Sequence, residues 1–184
     1  MVQAYLLELM REFDLSPWSW VKDVRIDRHL QALGQCFLED GVPVIRLRSM
    51  RPLSPEEEAL QARDTKDRLL GIYIHEQLHQ YLDLQSEETL AAVEVLRNLY
   101  PEVPVGGTEG AMNEFSTYLH LILCTLELDA MALLIGEARY RDLKAAPRFY
   151  RFIWRTVLED TEPLRDLIRR VGLTSPAAAP TARG

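Results

Sequence analysis

His75-Glu76-Gln77-Leu78-His79 forms an H-E-x-x-H pattern, and this stretch carries the most information about the fold. One turn of an α-helix takes about 3.6 residues, so His75 and His79 share a face, with Cβ atoms roughly 5–6 Å apart. Two neutral imidazoles on one face suit tetrahedral Zn²⁺ and leave places for a third protein ligand and a water. Glu76 lies between them, where it is placed to take a proton from that water. The pattern therefore predicts a zinc site with two histidine ligands and a glutamate base.

The sequence around the motif predicts one helix over about 66–84, because this stretch is largely apolar and contains no proline. His75, Leu78, His79 and Leu82 follow each other at helical spacing, so the two histidines are expected on the buried face of the helix. The structural alternative is a pair of core histidines beside a surface glutamate. Burying two imidazoles one turn apart without a metal is costly, so we favour the metal site.

Composition limits the classes of protein and of partner. The chain has 184 residues, 47% of them hydrophobic, which predicts a single globular domain over 1–173 and a disordered Pro/Ala-rich tail over 174–184. A net charge of −7 argues against nucleic acid or an anionic membrane as a partner. Cys36 and Cys124 are too few for a disulfide framework, and no secretory signal is evident, so we expect a cytoplasmic protein.

The part of the chain before the motif predicts a helix and a small sheet. Helical periodicity covers 2–13, and 20–26 alternates as a short strand does. Apolar runs at 36–38 and 42–48 flank the dipeptide Asp40-Gly41, which favours a tight turn between two strands. This region therefore predicts a β-hairpin next to a further strand.

The part of the chain after the motif predicts helices, which makes the fold class α+β. Ser86 is placed to cap a helix over 87–99, and a loop rich in proline and glycine follows at 100–110. A long apolar helix is then expected over 111–136. Shorter helices are expected over 147–160 and 161–172.

A zinc site needs a further ligand, and the predicted helix over 111–136 offers Glu114 and His120. These residues are separated by about 600° of helical rotation, so they face directions roughly 120° apart and are not expected to bind one ion together. His120 lies at the centre of a polar stripe on an apolar helix, which suits either a metal ligand or a core histidine with satisfied hydrogen bonds. Glu114 lies near the helix start, where the helix dipole alone already favours a carboxylate.

The motif helix, followed by Asn113-Glu114 near the start of a later helix, resembles the gluzincin group of zinc peptidases. In that group the third ligand is a glutamate, often preceded by asparagine, on a helix after the H-E-x-x-H helix. The stretch 110–114, Gly-Ala-Met-Asn-Glu, is similar to the glutamate segment of thermolysin-like enzymes. The stretch 113–118, Asn-Glu-Phe-Ser-Thr-Tyr, is similar to the N-E-G-F-A-x-Y segment of membrane-alanyl-aminopeptidase-like enzymes, with one residue missing.

The resemblance implies a zincin-like domain over 1–173, Zn²⁺ as the cofactor, Glu114 as the third ligand and Tyr118 as a donor to the substrate oxyanion. The chain departs from the family at two points. From His79 to Glu114 is 35 residues, which is longer than in thermolysin, and Tyr118 stands where thermolysin-like enzymes place an aspartate that orients the first histidine. We therefore predict Glu114 as the third ligand and keep His120 as the alternative.

Three functions follow from these patterns. The first is a zinc metallopeptidase in which Glu76 activates a water that hydrolyses a peptide or protein substrate. The second is a non-peptidolytic metalloprotein that keeps the zincin scaffold for a regulatory or partner-binding role. The third is a purely structural helical domain with a chance motif. Zinc content separates the third function from the other two, and the substitution Glu76→Gln separates the first from the second.

Overall fold

The computed structural model describes residues 2–49 and 55–174, and for 55–63 it describes the backbone alone. The fold is α+β, as predicted, and it is mostly helical. The helices and strands of the described residues, in chain order, are α1 (Val2–Glu12), a 3-10 turn (Ser16–Trp18), β1 (Asp23–Asp27), β2 (Gly34–Glu39), β3 (Val42–Arg48), α2 (Pro55–Leu84), α3 (Ser86–Leu99), α4 (Glu114–Ile135), α5 (Glu137–Lys144), α6 (Arg151–Glu159) and α7 (Thr161–Arg170).

The chain divides into two compact units, Met1–Tyr81 and Leu82–Gly184. The first unit contains the sheet and most of α2, and the second contains the remaining helices. The single domain expected over 1–173 stays a prediction. The tail expected over 174–184 lies outside the described residues, apart from Thr174.

The sheet of the first unit has the strand order β1-β3-β2. β2 and β3 pair antiparallel around Asp40 and Gly41, whose φ angles of 52° and 80° give the left-handed turn that a two-residue hairpin needs. The predicted hairpin is therefore confirmed. β1 pairs with β3 in parallel, and it begins at Asp23 rather than at residue 20 because the preceding segment bonds to α2 instead.

Helix α2 carries the motif and begins earlier than predicted, at Pro55. Proline suits the first position of a helix, because the backbone N–H that it lacks would have no partner in the helix there. The side-chain amide of Gln77 accepts from the backbone N–H of Val21 at 2.7 Å and donates to the carbonyl of the same residue at 2.8 Å. The hydroxyl of Tyr73 bonds to that of Ser19 at 2.7 Å. These bonds fix the orientation of α2 beside the segment that precedes β1.

Helix α4 is the centre of the second unit and packs against α3, α5, α6 and α7. By length and composition it is the one helix of the described residues that could span a membrane, but 67% of its most apolar window is buried. A buried core helix of a soluble protein can have the same length and composition, so these two properties are weak evidence for a membrane span. The helix ends at Gly136, whose φ of 93° is unfavourable for other residues.

Several helix boundaries in the second unit differ from those predicted. The cap predicted at Ser86 is wrong by one residue, because Ser86 is the first residue of α3 and Gln85 precedes it without a side-chain capping bond. Helix α4 starts at Glu114 rather than 111, since Asn113 and Ser116 form a capping box there. Helix α5 was not predicted, and α6 starts at Arg151 rather than 147.

Candidate metal centre

Helix α2 places His75 and His79 one turn apart, as the spacing predicts. Their ring centroids lie 5.1 Å apart with the ring planes at 75°. Both side chains are half-buried, while the neighbouring Ile74 and Leu78 are fully buried in the core. The buried apolar neighbours hold this face of the helix in place, so the two imidazoles are presented together at the edge of the packed interior.

Glu76 is buried, with 6% of its surface exposed, and it lies against Gly34 at the start of β2. A Cβ atom at Gly34 would come within 2.7 Å of the Glu76 Oε1 and within 2.8 Å of its Cγ. A side chain at this point of the strand would therefore require Glu76, Ile72 or the strand itself to shift. The strand β2 lies at one edge of the sheet, so the carboxylate of the motif sits beside an edge strand of its own unit.

His120 lies on α4 and is also buried, with 6% exposure. Its Nδ1 lies 2.6 Å from the carbonyl oxygen of Ser116, one turn earlier. A carbonyl accepts only, so this bond requires the proton on Nδ1 and leaves the lone pair of the neutral ring on Nε2. Histidines that bind metals commonly donate their other N–H to a carbonyl in this way. The ring also packs against that of Tyr150, with centroids 4.7 Å apart.

Glu114 has a different environment from His120. It is the first residue of α4, its side chain is 60% exposed, and its carboxylate lies 3.6 Å from the guanidinium of Arg97. The preceding Asn113 accepts from the backbone N–H of Ser116 at 2.7 Å and so caps the helix. Asn113 therefore caps the helix, and the carboxylate of Glu114 lies at the favourable end of the helix dipole.

Tyr118, predicted as a donor to the substrate, is buried with 1% exposure. Its hydroxyl donates to the carbonyl oxygen of Tyr100 at 2.7 Å, and burial raises the pKa of Tyr118. The proton that an oxyanion would need is committed to this internal bond. The role of Tyr118 as a donor stays a prediction that this geometry does not support.

Two further polar residues of α4, Cys124 and Glu127, are buried. Burial raises the pKa of the Cys124 thiol well above its usual value. Glu127 accepts a hydrogen bond from the hydroxyl of Tyr140 and lies 3.0 Å from the ammonium of Lys144. The sequence shows both residues in the polar stripe of the helix, but Tyr140 and Lys144, which contact Glu127, lie on α5, which was not predicted.

Residue types that could hold a metal ion occur in both units. In the first unit, His75 and His79 lie one turn apart on α2. In the second unit, α4 carries the buried residues His120, Cys124 and Glu127. Cys124 would have to bind as a thiolate where burial favours the thiol, and Glu127 is already bonded to Lys144. Three imidazoles and a water form a ligand set found in catalytic zinc sites, so by their chemistry the three histidines suit zinc better.

Comparisons of the chain with family models, with curated proteins and with solved structures gave no match. The resemblance to gluzincins thus rests on the motif residues alone, and the argument for a function rests on the chemistry of the site.

Proposed function

We propose that the protein is a zinc metallopeptidase of the zincin type, in which His75, His79 and His120 hold Zn²⁺ and Glu76 is the general base. The observation that carries this proposal is the arrangement on α2, where a buried carboxylate lies between two imidazoles one turn apart. A glutamate with 6% exposure between two histidines one turn apart is in the position of the base of a hydrolytic zinc site.

His120 replaces Glu114 as our choice of third ligand. The ring of His120 is buried, and its Nδ1–H donates to the carbonyl of Ser116, as the second nitrogen of a metal-bound histidine commonly does. Glu114 is mostly exposed and paired with Arg97. A carboxylate in water with a cation beside it loses hydration and an ion pair on binding zinc, whereas the orientation of the imidazole is already fixed.

Zinc bound by these histidines would polarise the scissile carbonyl and lower the pKa of a bound water towards about 7. Glu76 accepts a proton from the attacking water and returns it to the leaving amine. Glycine at position 34 leaves room for the Glu76 side chain beside β2. Gln77 supports the same geometry, because its two bonds to Val21 prevent α2 from rotating about its axis.

Zinc content tests the ligand assignment. Purified protein should contain one equivalent of zinc, and His75→Ala, His79→Ala and His120→Ala should each lower its affinity by at least about 10- to 100-fold. Glu114→Ala should leave zinc affinity unchanged. His29→Ala is the matched control, since His29 is the remaining histidine of the chain and is exposed. A protein without stoichiometric zinc would refute the metal site, and loss of zinc in Glu114→Ala alone would restore the ligand predicted from the sequence.

Peptide cleavage tests the enzymatic part of the proposal. Glu76→Gln removes the base but keeps the shape of the side chain, so it should retain zinc and lose cleavage of a peptide library by several orders of magnitude. Cleavage at the wild-type rate would exclude Glu76 as the base. Zinc binding without any cleavage by the wild-type protein would favour the non-peptidolytic scaffold over a peptidase.

A further inference from the structure

A cavity of about 510 Å³ opens on the second unit, between the end of α5 and one side of α6. Sites for small molecules commonly have volumes of about 300–1,000 Å³. All of the residues that line the cavity belong to the second unit. One wall is formed by Lys144, the last residue of α5, and by the small residues of the segment 145–147. The other wall is one side of α6, with lining residues at i, i+4, i+7 and i+8: Arg151, Arg155, Leu158 and Glu159.

The wall at the end of α5 is held by contacts to two neighbouring helices. The ammonium of Lys144 lies 3.0 Å from the carboxylate of Glu127, which is buried on α4. The same ammonium lies 4.1 Å from the ring centroid of Trp154 on α6, where a cation–π interaction is favourable. Lys144 therefore ties α5 to both helices, and its charge is already balanced by protein groups.

The three charged residues of the α6 wall differ from Lys144 in this respect. Arg151, Arg155 and Glu159 form no ion pair with any residue that the structure describes. All three side chains are exposed, so a ligand can reach them. Arg151 and Arg155 repel each other at i,i+4, and an arginine four residues before a glutamate is the weaker order for an ion pair on a helix. This wall therefore carries two positive charges and one negative charge that the described residues do not balance.

The order of these charges along α6 defines the chemistry of a complementary ligand. The chain has a net charge of −7, yet residues 144–158 contain four cations and no acid, so this stretch is suited to an anion. Two guanidinium groups can bind two carboxylates or one phosphate through paired hydrogen bonds. The carboxylate of Glu159, one turn after Arg155, can accept from an ammonium. A complementary ligand therefore has two negative charges and one positive charge.

We propose that this cavity binds a small zwitterion with two negative charges and one positive charge, its anionic groups on Arg151 and Arg155 and its ammonium on Glu159. Pro147 and Leu158 provide apolar surface for the carbon atoms that join the charged groups. Two kinds of molecule have this chemistry, an acidic amino acid and a phosphorylated amine. None of these residues belongs to the proposed metal centre, so the proposal does not depend on the peptidase function.

Matched probes distinguish the two kinds of molecule. Titration calorimetry of the full-length protein measures binding of L-glutamate and of phosphoethanolamine. The references for glutamate are glutarate, which lacks the ammonium, and L-glutamine, which lacks one carboxylate. The references for phosphoethanolamine are ethyl phosphate and ethanolamine, which lack the ammonium and the phosphate. At least one zwitterion should bind about tenfold or more tightly than both of its references, because hydrogen bonds to charged groups are the stronger kind. The zwitterion that does so identifies the ligand class.

Substitutions then assign the binding to the cavity. Arg151→Gln and Arg155→Gln should each weaken binding of the zwitterion about tenfold, and Glu159→Gln should remove its advantage over the reference without an ammonium. All three residues are exposed, so Tm should stay at the wild-type value and a loss of affinity will not reflect unfolding. Arg148→Gln and Glu102→Gln are the controls, because they remove the same charges from exposed residues that do not line the cavity.

Three results would overturn the proposal. The first is a wild-type protein that binds neither zwitterion more tightly than its references. The second is a loss of affinity in the controls equal to that in Arg151→Gln and Arg155→Gln. The third is an unchanged preference for the ammonium in Glu159→Gln, which would show that the ligand lies elsewhere.

Discussion

Gly34→Ala is the substitution for which the structure predicts the largest effect from the smallest change. The added methyl group would lie 2.7 Å from the Oε1 of Glu76, 2.8 Å from its Cγ and 2.8 Å from the Cγ2 of Ile72. Ordinary contacts between carbon atoms are about 3.5–4.0 Å, so each of these is roughly 0.7 Å or more too short. Either β2 must move away from α2, or the buried carboxylate must leave its place.

Overpacking of this kind costs about 1–3 kcal/mol in the free energy of unfolding. For a chain of this size each kcal/mol lowers Tm by about 2–4 °C, so we expect Gly34→Ala to melt roughly 2–12 °C below the wild type. Urea denaturation and calorimetry of the full chain measure the two quantities. The cleavage rate should fall as well, while zinc content remains, because the clash displaces Glu76 and not the histidines.

A double-mutant cycle identifies the cause of that loss. Glu76→Ala removes the two atoms of Glu76 that the new methyl group would meet, so Gly34→Ala should cost at least about 0.5 kcal/mol less in the Glu76→Ala background. Gly41→Ala is the control, because its φ is 80° and no atom lies within 4 Å of the position of its Cβ. Its cost should be the same in both backgrounds. An equal cost of Gly34→Ala in both backgrounds would refute the contact with Glu76 as the reason for the glycine.

Three further predictions concern the thiols, an acid and the ring beside His120. A thiol reagent should modify Cys36 in the native protein but Cys124 only after unfolding, because Cys124 is fully buried and burial raises its pKa; equal rates would contradict this. A hydrogen bond from Arg141 lowers the pKa of Glu137 below its ordinary value of 4.5. The contribution of the ionised carboxylate to the free energy of unfolding is therefore present above that pH and is lost as the pH falls through the folded-state pKa. In urea titrations Glu137→Gln should therefore destabilise by about 0.2–0.5 kcal/mol at neutral pH and not near about pH 2, and a larger effect in acid would refute the assignment. Tyr150→Phe should keep zinc affinity and Tyr150→Leu should weaken it about tenfold, whereas equal affinities would show that the ring does not position His120.

The features of the fold that the sequence predicts are those encoded by neighbouring residues. The hairpin follows from Asp40-Gly41 between two apolar runs, and the last helix begins at Thr161, as expected, and ends at Arg170, two residues before Gly172. The parallel pairing of β1 with β3 was not predicted, because it joins residues distant in sequence and depends on tertiary packing. Helix α5 was missed because only Gly136 separates it from α4, and the bond from Arg141 to Thr161 that anchors it is also long-range.

The same distinction applies to the candidate site. His75, Glu76 and His79 could be identified from spacing alone, because all three lie within little more than one helical turn. The need for a glycine at position 34 could not be predicted from the sequence, since it depends on how closely β2 approaches α2. Tyr150 carried no signal in the sequence, because its contact with His120 arises from a left-handed turn that no glycine or asparagine marks.

The choice between Glu114 and His120 shows why one motif match can serve two structural purposes. The pair Asn113-Glu114 is similar to a gluzincin ligand segment, but an asparagine before a helix with a serine three residues later is also a capping arrangement, and the bonds of Asn113 are those of a cap. A residue that caps a helix is placed by local backbone geometry, at an exposed end. A metal ligand must instead be held by contacts that survive without the metal, as Ser116 and Tyr150 hold His120. The proposed ligand and the proposed base have different contacts, so zinc affinity in His120→Ala and cleavage in Glu76→Gln test separate parts of the proposal.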